Sequence, residues 1–122
     1  MAPRIAFDDP AWLGSPLTIG IEHALGGARA WLAADLSSAP SGRAVLGVTS
    51  YLGSGPRLTV VPYGPLAGAI GVPGAGHGSL VATLPAAAAL AGRPLFLQWL
   101  VEDAGGPAGY SASEAVEMRL TD

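Results

Sequence analysis

Few side chains in this chain can do chemistry. It has two histidines, His23 and His77, no cysteine and no lysine, and its six basic residues are all arginine. A serine hydrolase needs a nucleophile on a Gly-x-Ser-x-Gly turn with a histidine and an acid to follow. No such turn occurs, and Gly76-His-Gly-Ser79 is the nearest string. Gly71-Val-Pro-Gly-Ala-Gly-His-Gly78 has the glycine density of a phosphate loop. It lacks the Lys and Ser/Thr that grip phosphate and Mg²⁺, and the residues after it alternate as a strand rather than opening a helix. Thiol chemistry and Cys-ligated zinc are excluded. Acidic neighbours occur at Asp8/Asp9 and Glu102/Asp103. In a strand such neighbours point to opposite faces, so Glu102 and Asp103 alone do not make a glycosidase pair. Together with Glu114 across the following loop they form the one candidate for Ca²⁺, which takes six to eight oxygens. The spacing of the histidines does not suggest a metal site. The reading is therefore no catalytic residue, no cofactor and no built metal centre. A small hydrolase or metal-binding enzyme around His77 or the 102–114 loop is the least favoured alternative.

What the chain does have is aromatic side chains among polar ones. Trp12, Trp31, Tyr51, Tyr63 and Tyr110 could present flat faces to the apolar face of a sugar ring. Trp31 shares its strand face with Arg29 and Asp35, so it could be an exposed ring that anchors a ligand, the alternative being a ring that covers the sheet edge or packs under the N-terminal arm. The ligand-binding candidates are Trp31, His77, Tyr51 and Tyr63. Trp99 lies in the longest apolar run and is expected in the core.

These residues must be positioned by strands. Residues 93–103 alternate Leu95, Leu97, Trp99, Val101 against Phe96, Gln98, Leu100, Glu102, so both faces are largely apolar. Such a strand lies centrally in a sheet and is covered on both sides, or has one face against a partner. Leu17 to His23 reads as a strand with one buried face, Leu17, Ile19, Ile21 and His23, and Arg29 to Asp35, Ser79 to Leu84 and Val116 to Thr121 also alternate with period two. Val45 to Tyr51, interrupted by Gly47, and Leu58 to Tyr63, stopped by Pro62 and Gly64, are further strands, with Leu66 to Ile70 a possible short one. Ser37 to Gly42 and Asp103 to Ser113 read as loops. Pro85 to Ala91 has the proline start and glycine end of one short helical turn. The 18 glycines and 11 prolines fall between the apolar runs as turns. The expected fold is all-β, an antiparallel sandwich (Ig-like or jelly-roll-like) of seven to eight strands with one helical turn near 85–91. Residues 1–16, with turn signals at Asp9-Pro10 and Ser15-Pro16, read as an N-terminal arm on a single domain at 17–122. The net charge of −3 and scattered arginines exclude a nucleic-acid surface. No apolar run reaches the ~20 residues of a membrane span.

The C-terminal third resembles a family of small domains from secreted and surface proteins of environmental bacteria. The matching pieces are Ala82-Thr-Leu-Pro85, Leu90-Ala-Gly-Arg-Pro-Leu95, Phe96-Leu-Gln-Trp-Leu-Val-Glu-Asp103, the Gly-rich loop 104–110 and Ser113-Glu-Ala-Val-Glu-Met-Arg-Leu120. Looser matches are Leu13-Gly14 and Gly26-Gly-Ala-Arg-Ala-Trp-Leu32. The family's Ser-Asn-Ala is Ser113-Glu114-Ala115 here, and its central Gly-Cys has no counterpart. The resemblance implies a secreted β-sandwich, whose leader would lie outside this sequence, and no reaction.

The expectation is a non-enzymatic extracellular or cell-surface module acting by association, as a surface, structural or self-assembling protein. Its interface would be Phe7, Trp12 and Leu13 of the arm with Phe96, Gln98 and Leu100 of the central strand, and its partner another copy or a surface assembly. The alternative is a carbohydrate-binding module using the exposed aromatics.

Overall fold

A computed structural model describes residues 3–7, 11–12, 14–36, 38–45, 48–52, 59–83, 91–104 and 109–121. Within them the protein is an all-β sandwich of antiparallel sheets. Its strands are β1 (Arg4–Phe7), β2 (Ala11–Trp12), β3 (Pro16–Ala24), β4 (Ala30–Asp35), β5 (Ser38–Val45), β6 (Val48–Leu52), β7 (Thr59–Tyr63), β8 (Gly76–Thr83), β9 (Pro94–Glu102), β10 (Tyr110–Ala112) and β11 (Val116–Thr121). Three of these, β1, β2 and β10, have four residues or fewer, and the other eight make up the expected count. One sheet runs β1-β3-β8; the larger runs β2-β11-β9-β4-β7 with β10 also on β9; β5 and β6 form a hairpin. The only parallel pairing among these strands is the two-residue match of β2 with β11. Among the described residues no helix is long and apolar enough to cross a membrane.

The alternating pattern decides which faces meet. Leu17, Ile19 and Ile21 of the small sheet pack on Leu32, Leu97, Trp99, Val101, Met118 and Leu120 of the large one. β9 is the central strand, and Leu97, Trp99 and Val101 are essentially inaccessible. Burying a large aliphatic or aromatic side chain is worth about 1.5–3 kcal/mol, so this seam dominates the stability. It also has one directional tie. The indole N–H of Trp99 donates to the carbonyl of Gly20 at 3.0 Å, joining the two sheets through their middle.

Several elements differ from the sequence reading. His23 was expected to close the inward face of β3, but a bulge shifts the register between Ile21 and Ala24, and Ala24 takes the buried place. His23 occupies the left-handed region at φ 59, which histidine tolerates better than most side chains. Residues 38–42, read as loop, belong to β5. Their proline and glycine are tolerated because this is a two-stranded hairpin without a central strand. Leu66 to Ile70 is not a strand, and its one ladder contact is an isolated bridge from Ala67 to His77. Tyr110 to Ala112 pairs with β9, so the loop after Asp103 is shorter than expected. β10 and β11 then form one edge along β9, interrupted at 113–115, where three residues face two of the partner. That bulge is held by Ser113, whose hydroxyl accepts from the Trp99 N–H at 2.9 Å and whose N–H donates to the Trp99 carbonyl at 3.0 Å. Leu13 and residues 85–90 of the expected helical turn lie outside the described residues.

Candidate functional site

β4 and β7 pair antiparallel, with Ala30 opposite Tyr63 and Trp31 opposite Pro62. β7 ends at Tyr63, and Gly64 just past it runs close to the chain before β4. The result is an open hollow of about 250 Å³ lined by Arg29, Ala30, Trp31, Pro62, Tyr63 and Gly64. This is smaller than the ~300–1,000 Å³ of pockets for drug-sized ligands and leaves room for about one ring.

Each wall has a reason to stay where it is. Trp31 projects from the face of β4 opposite the core, half-buried, with its ring 6.1 Å from that of Tyr110 and tilted by 56°. Tyr63 is held on two sides. Its ring meets Trp99 edge-on at 5.8 Å, and its hydroxyl accepts the Ser79 N–H of β8 at 3.2 Å. The close approach of β8 requires a glycine: a Cβ on Gly78 would lie 2.7 Å from the Tyr63 ring. Arg29 stands at the mouth with its guanidinium 3.4 Å from the carboxylate of Glu102, both well exposed. The backbone beneath them is fixed, because the Glu102 N–H donates to the Arg29 carbonyl at 2.9 Å. The hollow thus combines the Trp31 ring, its cross-strand partner Pro62 and a donor–acceptor pair in solvent, over a strand end that the Tyr63 ring anchors from the core side.

Of the expected ligand-binding residues, Trp31 and Tyr63 both border the hollow, but only the Trp31 ring is on its outer face; the Tyr63 ring points to the core. Tyr110 is beside Trp31, and Tyr51 belongs to β6, which lies against β4, β9 and β10. His77 is elsewhere. It is exposed on β8, bonded through its backbone to Ala67, with Nδ1 3.2 Å from the Ala75 carbonyl. The calcium candidates do not converge. Glu102 and Asp103 sit at the end of β9, whereas Glu114 is on the bulge and accepts the Ile5 N–H at 3.4 Å. Among the described residues no three His, Cys, Asp or Glu side chains are grouped to hold a metal.

The expected interface residues are also spread through the fold. Gln98 is only 5% exposed, with Nε2 donating to the Ser113 carbonyl at 2.8 Å, and Phe96 and Leu100 are half-buried on either side of it. Phe7 and Trp12 fall in β1 and β2, both at sheet edges of the same chain. Sequence reasoning missed Arg29, Pro62 and Glu102 as parts of one site. The signal was there only for Arg29, through its alternation with Trp31. Pro62 was read as the end of a strand and Glu102 as a loop-mouth acid, because their pairing with β4 is a long-range fact.

The Gly-rich segment is a built loop rather than a slack one. Its residues bond back to the β3–β4 turn, with Gly26 N–H to the Val72 carbonyl at 3.2 Å, Gly71 N–H to that of Gly26 at 2.9 Å and Gly27 N–H to that of Leu66 at 3.1 Å. At its tip Ile70 is 88% exposed.

Compared with protein-family models, with curated proteins and with solved structures, the chain matches none.

Proposed function

We propose that this domain is a non-enzymatic, extracellular or cell-surface β-sandwich that acts by association, and that its partner is a carbohydrate seated in the Arg29–Trp31–Pro62–Tyr63 hollow. The observation that carries the reading is the hollow itself, where an aromatic wall and an exposed charged pair face a space the size of one ring. Sugars need both kinds of surface, an apolar platform for the C–H face and donors and acceptors for the hydroxyls. The resemblance of residues 82–120 supports the extracellular placement.

Self-assembly draws less support. The Phe96, Gln98 and Leu100 face is occupied within the fold. Three sheet edges carry obstacles to strand addition: Pro62 in β7, the Tyr63 and Ala67 contacts along β8, and the Glu114 side chain on β1. Screening the purified protein on a glycan array tests the proposal. Binding to a defined glycan is expected, with loss on Trp31→Ala and at least tenfold weakening in Arg29→Ala, a surface change that leaves the fold intact. An array without hits, or a hit that survives both substitutions, overturns it. Light scattering behind size exclusion, with a monomer expected at all concentrations, separates ligand binding from assembly.

A further inference from the structure

We infer that the hollow selects a neutral saccharide with two adjacent hydroxyls and discriminates against sugars that carry a carboxylate. This rests on the carbohydrate reading of the same site. The guanidinium of Arg29 can only donate hydrogen bonds, and the ionised carboxylate of Glu102 can only accept them. They lie 3.4 Å apart with side-chain exposures of 72% and 48%, so water holds them loosely and a ligand can enter between or beside them. A hydroxyl does both tasks. Of two neighbouring hydroxyls, one accepts from Arg29 and the other donates to Glu102, while the C–H face of the ring lies on Trp31 and Pro62.

A ligand carboxylate fits this arrangement badly. To reach Arg29 it must come within a few ångströms of Glu102, and two carboxylates in such proximity repel. Asp103 follows Glu102 directly, and the whole chain carries a net charge of −3. An amino sugar in its charged form meets the opposite problem at Arg29. Only a neutral polyol satisfies both groups of the pair together.

The test is ¹⁵N-detected NMR titration of the tryptophan indole signals, with the Trp31 signal assigned from Trp31→Phe. The probes are the methyl glycosides of glucose, galactose and mannose and their uronic acid counterparts. At least one neutral glycoside is expected to shift the Trp31 signal, and its uronic acid to bind at least tenfold more weakly. Glu102→Gln, an exposed and nearly isosteric change, is expected to shrink that preference severalfold. If no probe of either kind shifts Trp31, the carbohydrate reading and this selectivity fall together. If a uronic acid binds as tightly as its neutral partner, or if Glu102→Gln leaves the preference unchanged, the selectivity alone is overturned and the carbohydrate reading stands.

Discussion

Replacing Ser113 by alanine should cost more than its small size suggests. The hydroxyl accepts the Trp99 N–H at 2.9 Å and donates to the Glu114 carbonyl at 2.8 Å. Both ends lose a partner in the alanine variant, but unequally. Glu114 is exposed, so water replaces the donor to its carbonyl at little cost. Trp99 is fully buried in the central strand, and its N–H faces the bulge, where the neighbouring strand has one residue too many. A buried donor left without a partner costs about 1–3 kcal/mol. A 122-residue domain is stable by roughly 6–18 kcal/mol, so the variant folds but with a sizeable part of its margin gone. Urea denaturation measures this directly: with m of about 1–3 kcal/mol/M, the midpoint should fall by about 1 M with m unchanged. Hydrogen exchange supplies the local readout, because the Trp99 amide should lose protection relative to its neighbours in β9. Ser111→Ala, two residues earlier on β10, is the control and should stay within about 0.5 kcal/mol. If Ser113→Ala is no worse than that control, or the Trp99 amide keeps its protection, the bulge is not held by the serine hydroxyl and the argument fails.

Two further outcomes follow from the same geometry. Gly78→Ala places a methyl 2.7 Å from the Tyr63 ring, which has Trp99 on its other side, so the ring must leave its place. Overpacking of this kind costs about 1–3 kcal/mol. Affinity for the ligand of the hollow should drop as well, although residue 78 does not line it, because the Tyr63 ring anchors the end of β7 that does; unaltered binding by isothermal titration would show that this anchoring is dispensable. Ile70→Ser should change stability by no more than about 0.5 kcal/mol and shorten retention on a hydrophobic-interaction column, because the side chain is almost fully exposed beside Gly27. A loss above about 1 kcal/mol would mean that Ile70 has a packing role.

The strands that could be read from the chain are those with clean alternation of side chains. β3, β4, β8, β9 and β11 each show it, and each has its apolar set on the core side. The failures share one cause. A bulge inserts a residue without any local mark, so the inward place at the end of β3 passed from His23 to Ala24. β5 is a strand through its partner β6 rather than through its own composition. Likewise Ser113 looked like the end of a loop, and its function is visible only once Trp99 lies beside it. The site was legible in the same proportion. Trp31 was found because its own strand neighbours are charged, whereas Glu102 and Pro62 joined it through registers with β9 and β7 that no local pattern encodes.

Tyr63 connects the core to the hollow. One edge of its ring rests on Trp99, the residue that ties the two sheets through Gly20, and its hydroxyl reaches β8 across the open side of the sandwich. Residue 63 also borders the hollow from the end of β7, while its ring faces the core with its partner Ala30. The strand end that borders the hollow is therefore backed by the least yielding part of the molecule. That is the arrangement binding requires, since a wall already held in place loses little conformational freedom when the ligand arrives. Trp31 is backed more lightly, by Tyr110 alone among the ring contacts of the described residues. The adjustable half of the site is thus the half that carries Arg29 and Glu102, where exposure lets both charged groups reorient around hydroxyls. A rigid apolar wall facing a mobile polar rim suits a ligand whose ring is constant and whose hydroxyl pattern varies.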